Sequence, residues 1–162
     1  MTKFRISIVA LVIVALTAVT AAAAMAAAPK KVVFAGKYAG NATTKVDGNT
    51  ATISAKGTGT ATSIGAGSIA GLGTGDTSQQ PCIPFTGTGT MTGAGGTVTF
   101  KVLPGSSGCG DEGGHNFTIT AHLAVLKATG KLAKAKGTLK MTGVYSHDDG
   151  SFSVKVSGTL TK

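Results

Sequence analysis

Apolar and polar residues alternate one by one along most of the chain after residue 29. In "GTVTFKVLPG", Val98, Phe100 and Val102 fall on one side, and Thr97, Thr99 and Lys101 on the other. "HNFTITAHLAVLKATG" sets Phe117, Ile119, Ala121, Leu123 and Val125 against Thr118, Thr120 and His122. "GTLKMTGVYS" and "GSFSVKVSGTLTK" repeat the arrangement. Leu139, Met141, Gly143 and Tyr145 lie on the dry side of the first, and Phe152, Val154, Val156, Gly158 and Leu160 on that of the second. Nearer the start, Phe34, Gly36 and Tyr38 oppose Lys37, and Ile53 stands between Thr52 and Ser54. A period of two with polar partners is the pattern of antiparallel strands with one dry and one wet face.

Turn signals separate these runs: Asp47-Gly48-Asn49, the glycines after Ile64 and Gly93, Pro104-Gly105, Ala128–Lys131 and His147–Gly150. The spacing predicts an all-β fold of about eight strands, either an up-and-down barrel or a β-sandwich. "KATGKLAKAKG" is the one candidate for a helical turn, but Gly130 and Gly137 bracket it closely, and a hairpin loop is expected. In "FTGTGTMTG", Thr86, Thr88, Thr90 and Thr92 alternate with Gly87, Gly89, Met91 and Gly93, and Thr58, Thr60 and Thr62 continue the theme upstream. Glycine suits strand interiors where a sheet bends sharply or another backbone comes close. That requirement favours the barrel, with hydroxyls outward and glycines inward. A flat ice-binding face would need a fixed repeat of about a dozen residues, which is absent.

The N-terminus bears on location. Lys3 and Arg5 precede an apolar run from Ile6 to Val19, and alanine-rich sequence follows. This order reads as a secretory signal peptide helix over 1–28, with 29–162 as one β-barrel domain. Cleavage after Ala24, Ala26 or Ala28 satisfies the small-residue rule, and Ala28, before Pro29, is taken as the boundary. The apolar run is shorter than the roughly 20 residues that span a bilayer, so no spanning segment is expected after removal of the signal, and the protein is expected outside the cell. In an exported chain the only two cysteines, Cys82 and Cys109, are expected to form a disulfide. Closing a loop of about 28 residues is worth roughly 3–4 kcal/mol in the chain-entropy account.

The expected domain has 13 lysines, no arginine and six acids, a net charge of +7. Such a balance attracts polyanions loosely. The absence of arginine argues against specific nucleic-acid recognition. Lys127, Lys131, Lys134, Lys136 and Lys140 occur within 14 residues with no acid among them, a candidate patch for an anionic cell-surface polymer. Without aromatic residues nearby it suits neither bases nor sugars. "CGDEGGHN" brings Asp111, Glu112 and His115 together in a polar loop, readable as a hard-metal or acid–base site or as a solvated loop. Its spacing matches no ligand motif, and His147-Asp148-Asp149-Gly150 reads as a hairpin turn. No serine sits in a nucleophile elbow, and no glycine-rich run precedes a helix that could receive a phosphate. No cofactor is implied.

Gly130, Leu132, Ala135, Gly137, Thr138, Leu139, Gly143, Tyr145, Gly150, Phe152, Gly158, Thr159 and Leu160 follow a "GTGxFxGAxGTLxxxGxY…GxFxxxxxGTL" pattern. Over roughly the last 35 residues the chain thereby resembles small secreted bacterial barrels related to the allene oxide cyclase and dirigent-like family. The resemblance implies an eight-stranded antiparallel barrel. Plant members of that family use polar and acidic residues inside the barrel for cyclisation or stereocontrol. No acid lies on a dry face here, so no catalytic residue carries over, and fold does not transfer function. The expectation is therefore a secreted, non-enzymatic barrel that binds a small apolar ligand or a cell-surface partner. The alternatives are a cyclase- or dirigent-like enzyme, or a wall-associated structural protein held by its lysines.

Overall fold

A computed structural model describes residues 28–162; all but the last residue of the expected signal peptide lies outside the described residues. Nine antiparallel strands follow: β1 Lys31–Asp47, β2 Thr50–Ala61, β3 Gly65–Asp76, β4 Cys82–Gly93, β5 Gly96–Val102, β6 Ser107–Gly110, β7 Asn116–Ala128, β8 Thr138–Ser146 and β9 Ser151–Thr161. Each pairs with its neighbours, β9 returns to β1 and β3 to β4, and the sheet closes into a barrel with no free edge. β5 and β6 are two halves of one stave: both pair with β4 on one side and with β7 on the other. Nine strands therefore make eight staves.

The facing follows the sequence alternation. Phe34, Tyr38, Met91, Val98, Leu123, Leu139, Val156 and Leu160 are buried inside. Thr58, Thr60, Thr62, Thr86, Thr88 and Thr92 are exposed outside, so the threonine ladder is outer wall. At Thr99 and Phe100 the register with β7 slips past Leu126. This bulge keeps both Val125 and Ala128 against the core and leaves Leu126 outside. An apolar interior behind a wall of hydroxyls and lysines reverses the polarity of a barrel that meets lipid. Among the described residues no helix is long and apolar enough to cross a membrane.

The two ends differ. At one end the β7–β8 connection is not a simple hairpin loop: a 3-10 turn at Gly130–Leu132 folds Leu132 and Ala135 into the barrel as a floor. Ile64 of the β2–β3 turn joins them, and the Gly95 N–H donates to the Ile64 carbonyl while the Lys131 N–H donates to that of Gly95. The other end is ringed by the β1–β2 turn, the Thr77–Pro81 and Asp111–His115 loops and the His147–Gly150 turn. There the sheet surrounds an opening.

Candidate functional site

Inward positions in the half of the barrel near the opening are small. Ala42 on β1, Ala51 and Ala55 on β2, Gly71 and Gly73 on β3, Gly87 on β4 and Gly108 on β6 line it. Large residues at these places would fill the lumen, as Phe34, Met91, Leu139 and Leu160 do at the floor. A cavity of about 330 Å3 results. Its remaining wall is apolar: Val46, Ile53, Ile69, Ile83, Phe85, Phe100, Val102, Phe117, Ile119, Met141 and Phe152. The polar side chains on it are few: Thr44 and Tyr145, with hydroxyl oxygens 3.2 Å apart, and Thr77, Gln80 and His147 near the opening.

The inward glycines have two distinct causes. A Cβ on Gly59 would collide with the Lys37 carbonyl oxygen of β1 and with the Tyr38 ring, so this position requires glycine for close strand approach. At Gly71 a Cβ would meet only the Thr88 carbonyl oxygen, at an ordinary 3.5 Å, and otherwise face the cavity. Glycine there makes space rather than fitting where space is short.

The disulfide expected from the cysteine count is present. Cys82 and Cys109 are directly opposed on β4 and β6, where the bond ties the upper half of the split stave to its neighbour. At the break between the halves, the buried Ser106 Oγ donates to the Leu103 carbonyl at 2.7 Å and accepts from the His122 N–H at 3.0 Å. The His122 ring itself is on the exposed outer wall, away from the lumen.

Asp111, Glu112 and His115 lie in an exposed loop at the mouth. The Asp111 carboxylate accepts from the Asn116 side chain at 3.1 Å and from the backbone N–H groups of His115 and Asn116, and the Asn116 bond is the chief reason its pKa is lowered. Asp111 thus closes its own loop. His115 Nδ1 sits 2.9 Å from Asp148 of the β8–β9 turn, a pairing across 33 residues that the sequence did not suggest. The Asp148 hydrogen bond and charge hold the His115 pKa above its ordinary value of 6.5. The His147 N–H also donates to the His115 carbonyl at 2.7 Å, so the two loops are clasped together. Glu112 makes no side-chain bond to either. Among the described residues no three His, Cys, Asp or Glu side chains converge as a metal site, and the geometry favours a loop clasp over metal ligation.

The lysine patch is split. Lys131, Lys134 and Lys136 lie on the floor connection, while Lys127 and Lys140 stand outward on β7 and β8; all five are exposed. Lys30, Lys31 and Lys162 also reach the floor, since Lys30 and Lys162 exchange both backbone hydrogen bonds and the Lys162 ammonium donates to the Lys131 carbonyl. All six acids occupy the opposite end: Asp47, Asp76, Asp111, Glu112, Asp148 and Asp149. No family model matches the chain, and a search of curated proteins finds no match either.

Proposed function

We propose that the protein is an exported, non-enzymatic carrier or receptor that holds a small apolar molecule in the open half of its barrel. The observation that carries this reading is the cavity of about 330 Å3 walled by Val46, Ile53, Phe85, Phe117, Ile119 and Phe152. Its size falls at the lower end of the roughly 300–1,000 Å3 range of small-molecule sites. A few polar groups at one side, Thr44, Tyr145 and His147, suit a ligand with a single polar end. Acid–base turnover inside the lumen finds little support, because the acids stand at the mouth, in its loops and turns or at the last residues of β1 and β3, rather than deep on the wall. Export is supported by the disulfide, which persists in oxidising compartments, and by the signal-like sequence over 1–28.

Titration with the neutral fluorophore N-phenyl-1-naphthylamine tests the reading. Saturable, blue-shifted emission is expected from the native protein. Gly71→Leu should abolish it by placing a side chain in the cavity, while the melting temperature stays level or rises, because a strand glycine is replaced without a clash. No saturable binding, or binding indifferent to Gly71→Leu, overturns the proposal.

A further inference from the structure

The charges of this barrel are sorted by end, and the sorting is a product of the fold. Asp47, Asp76, Asp111, Glu112, Asp148 and Asp149 come from four separate connections, yet all stand around the mouth. Lys30, Lys31, Lys131, Lys134, Lys136 and Lys162 come from the start of β1, the end of β9 and the β7–β8 connection, and all converge on the floor. Staves of about 12 residues rise about 3.3 Å per residue, so at the usual barrel tilt the ends are about 30 Å apart. The Debye length is about 8 Å at physiological salt. The mouth acids are therefore screened from the floor, and an approaching surface meets six lysine ammonium groups with no Asp or Glu side chain among them.

We infer that the floor of the barrel docks electrostatically on an anionic lipid surface and leaves the mouth of the cavity facing away from it. The ammonium groups are exposed and spread across one end, which suits a plane of phosphodiester headgroups, and none of them is an arginine that could grip a single phosphate bidentately. Lipid is favoured over a wall polymer by where the chain enters the barrel. Pro29 and Lys30 lie at the floor, and the apolar run Ile6–Val19 precedes them in sequence, so on the export reading proposed above this end is held next to the bilayer until the signal is cleaved. The inference is independent of what the cavity holds.

The test uses residues 28–162, which contain the nine strands of the barrel, the disulfide and the closing β1–β9 pairing, and so form a barrel with no unpaired edge. Cosedimentation is measured with vesicles of phosphatidylcholine alone and of phosphatidylcholine mixed with phosphatidylglycerol. Binding is expected only to the mixed vesicles, with release at about 0.5 M salt. Two triple variants carry the same change in net charge at different places. Lys131→Glu with Lys134→Glu and Lys136→Glu balances the three remaining floor lysines with three carboxylates, and Lys56→Glu with Lys101→Glu and Lys155→Glu alters the wall. Each lysine near an anionic surface is worth about fivefold in partitioning. The floor variant, which removes three lysines and adds three carboxylates, should therefore lose at least about 100-fold, and the wall variant less than about fivefold. Hydrogen exchange on vesicles should slow at 129–137 and not at 111–115. Equal losses in both variants, protection at the mouth, or binding to soluble polyphosphate without binding to the vesicles each overturns the inference. Thermal melts identify any variant that fails to fold, and the triple Lys→Gln floor set then replaces it.

Discussion

Single residues show where the barrel is held and where it is strained by burial. Ser106 is a buried polar side chain, and it satisfies both a carbonyl and an N–H at the break between β5 and β6. Ser106→Ala leaves those two backbone groups without their partner and should cost about 1–3 kcal/mol, read as a lower urea midpoint with unchanged slope. Tyr38 is the reverse case. Its ring is buried at the centre of the core, its hydroxyl has no protein partner, and burial raises its pKa. Tyr38→Phe removes a desolvated hydroxyl and should stabilise the protein by about 1 kcal/mol in the same assay. A loss of stability would mean that the hydroxyl is satisfied in solution. The clasp at the mouth is pH-dependent. His115 has a raised pKa in the folded state, so its contribution is fully present below 6.5 and fades as pH rises through the raised value. Asp148→Asn should bring the imidazole titration followed by NMR back toward 6.5. It should lower the melting temperature at about pH 5.5 and make no difference once His115 is neutral in both proteins.

At the scale of elements, the alternation in β5, β7, β8 and β9 was plain in the sequence because large apolar residues mark most of the inward places. β3 was harder to read. Its inward places are Gly67, Ile69, Gly71, Gly73 and Gly75, and Leu72 and Ala70 point outward, so hydrophobicity inverts along part of the strand. β6 was hidden because Ser107–Gly110 reads as turn sequence and becomes a strand only through the neighbours that flank it. The β7–β8 connection carried its clue in Leu132 and Ala135, apolar residues in a lysine-rich loop, and tertiary packing turned them into a floor. The candidate site was legible only in part. Small dry-face residues were visible, but glycine reads alike whether it admits a neighbouring backbone, as at Gly59, or leaves a void, as at Gly71. The cysteine pair was readable from its count, and its effect belongs to this scale. The bond secures a four-residue strand that has little packing of its own. Reduction, or the Cys82→Ser and Cys109→Ser double variant, should remove about 3–4 kcal/mol. It should also speed hydrogen exchange first in β6 and the adjoining part of β4, and exchange unchanged there would argue that pairing alone holds the stave.

The whole molecule is a closed sheet with unequal halves, and this inequality has a measurable consequence. Every stave runs through both halves, and in all but the split β5–β6 stave the hydrogen-bonded ladder is continuous from floor to mouth. Side-chain packing is not. The floor half is filled by Phe34, Ile64, Met91, Val98, Leu132, Leu139, Val156 and Leu160, all buried to within a few per cent. In the mouth half alanines and glycines take many of the inward places, and the larger apolar residues there surround a cavity of about 330 Å3 instead of filling it. Local stability tracks buried apolar contact, and regions that bind ligands are drawn from the less stable end. Amides of the floor half, such as those of Phe34, Val98 and Val156, should therefore exchange only through global unfolding. Those of Ala51–Ala55 and Gly71–Gly75 should exchange through smaller openings, at rates insensitive to denaturant. A ligand that enters the cavity supplies the missing contacts, and at about 100 times its dissociation constant it adds roughly 2.7 kcal/mol to the folded state. Its effect should be largest on the mouth amides, bringing them toward the protection of the floor. Uniform protection in the free protein would mean that the ladder alone sets stability and that the small residues of the mouth carry no dynamic cost. Gly71→Leu offers the matching control: if the void is the cause, filling it covalently should slow exchange at the mouth without any ligand.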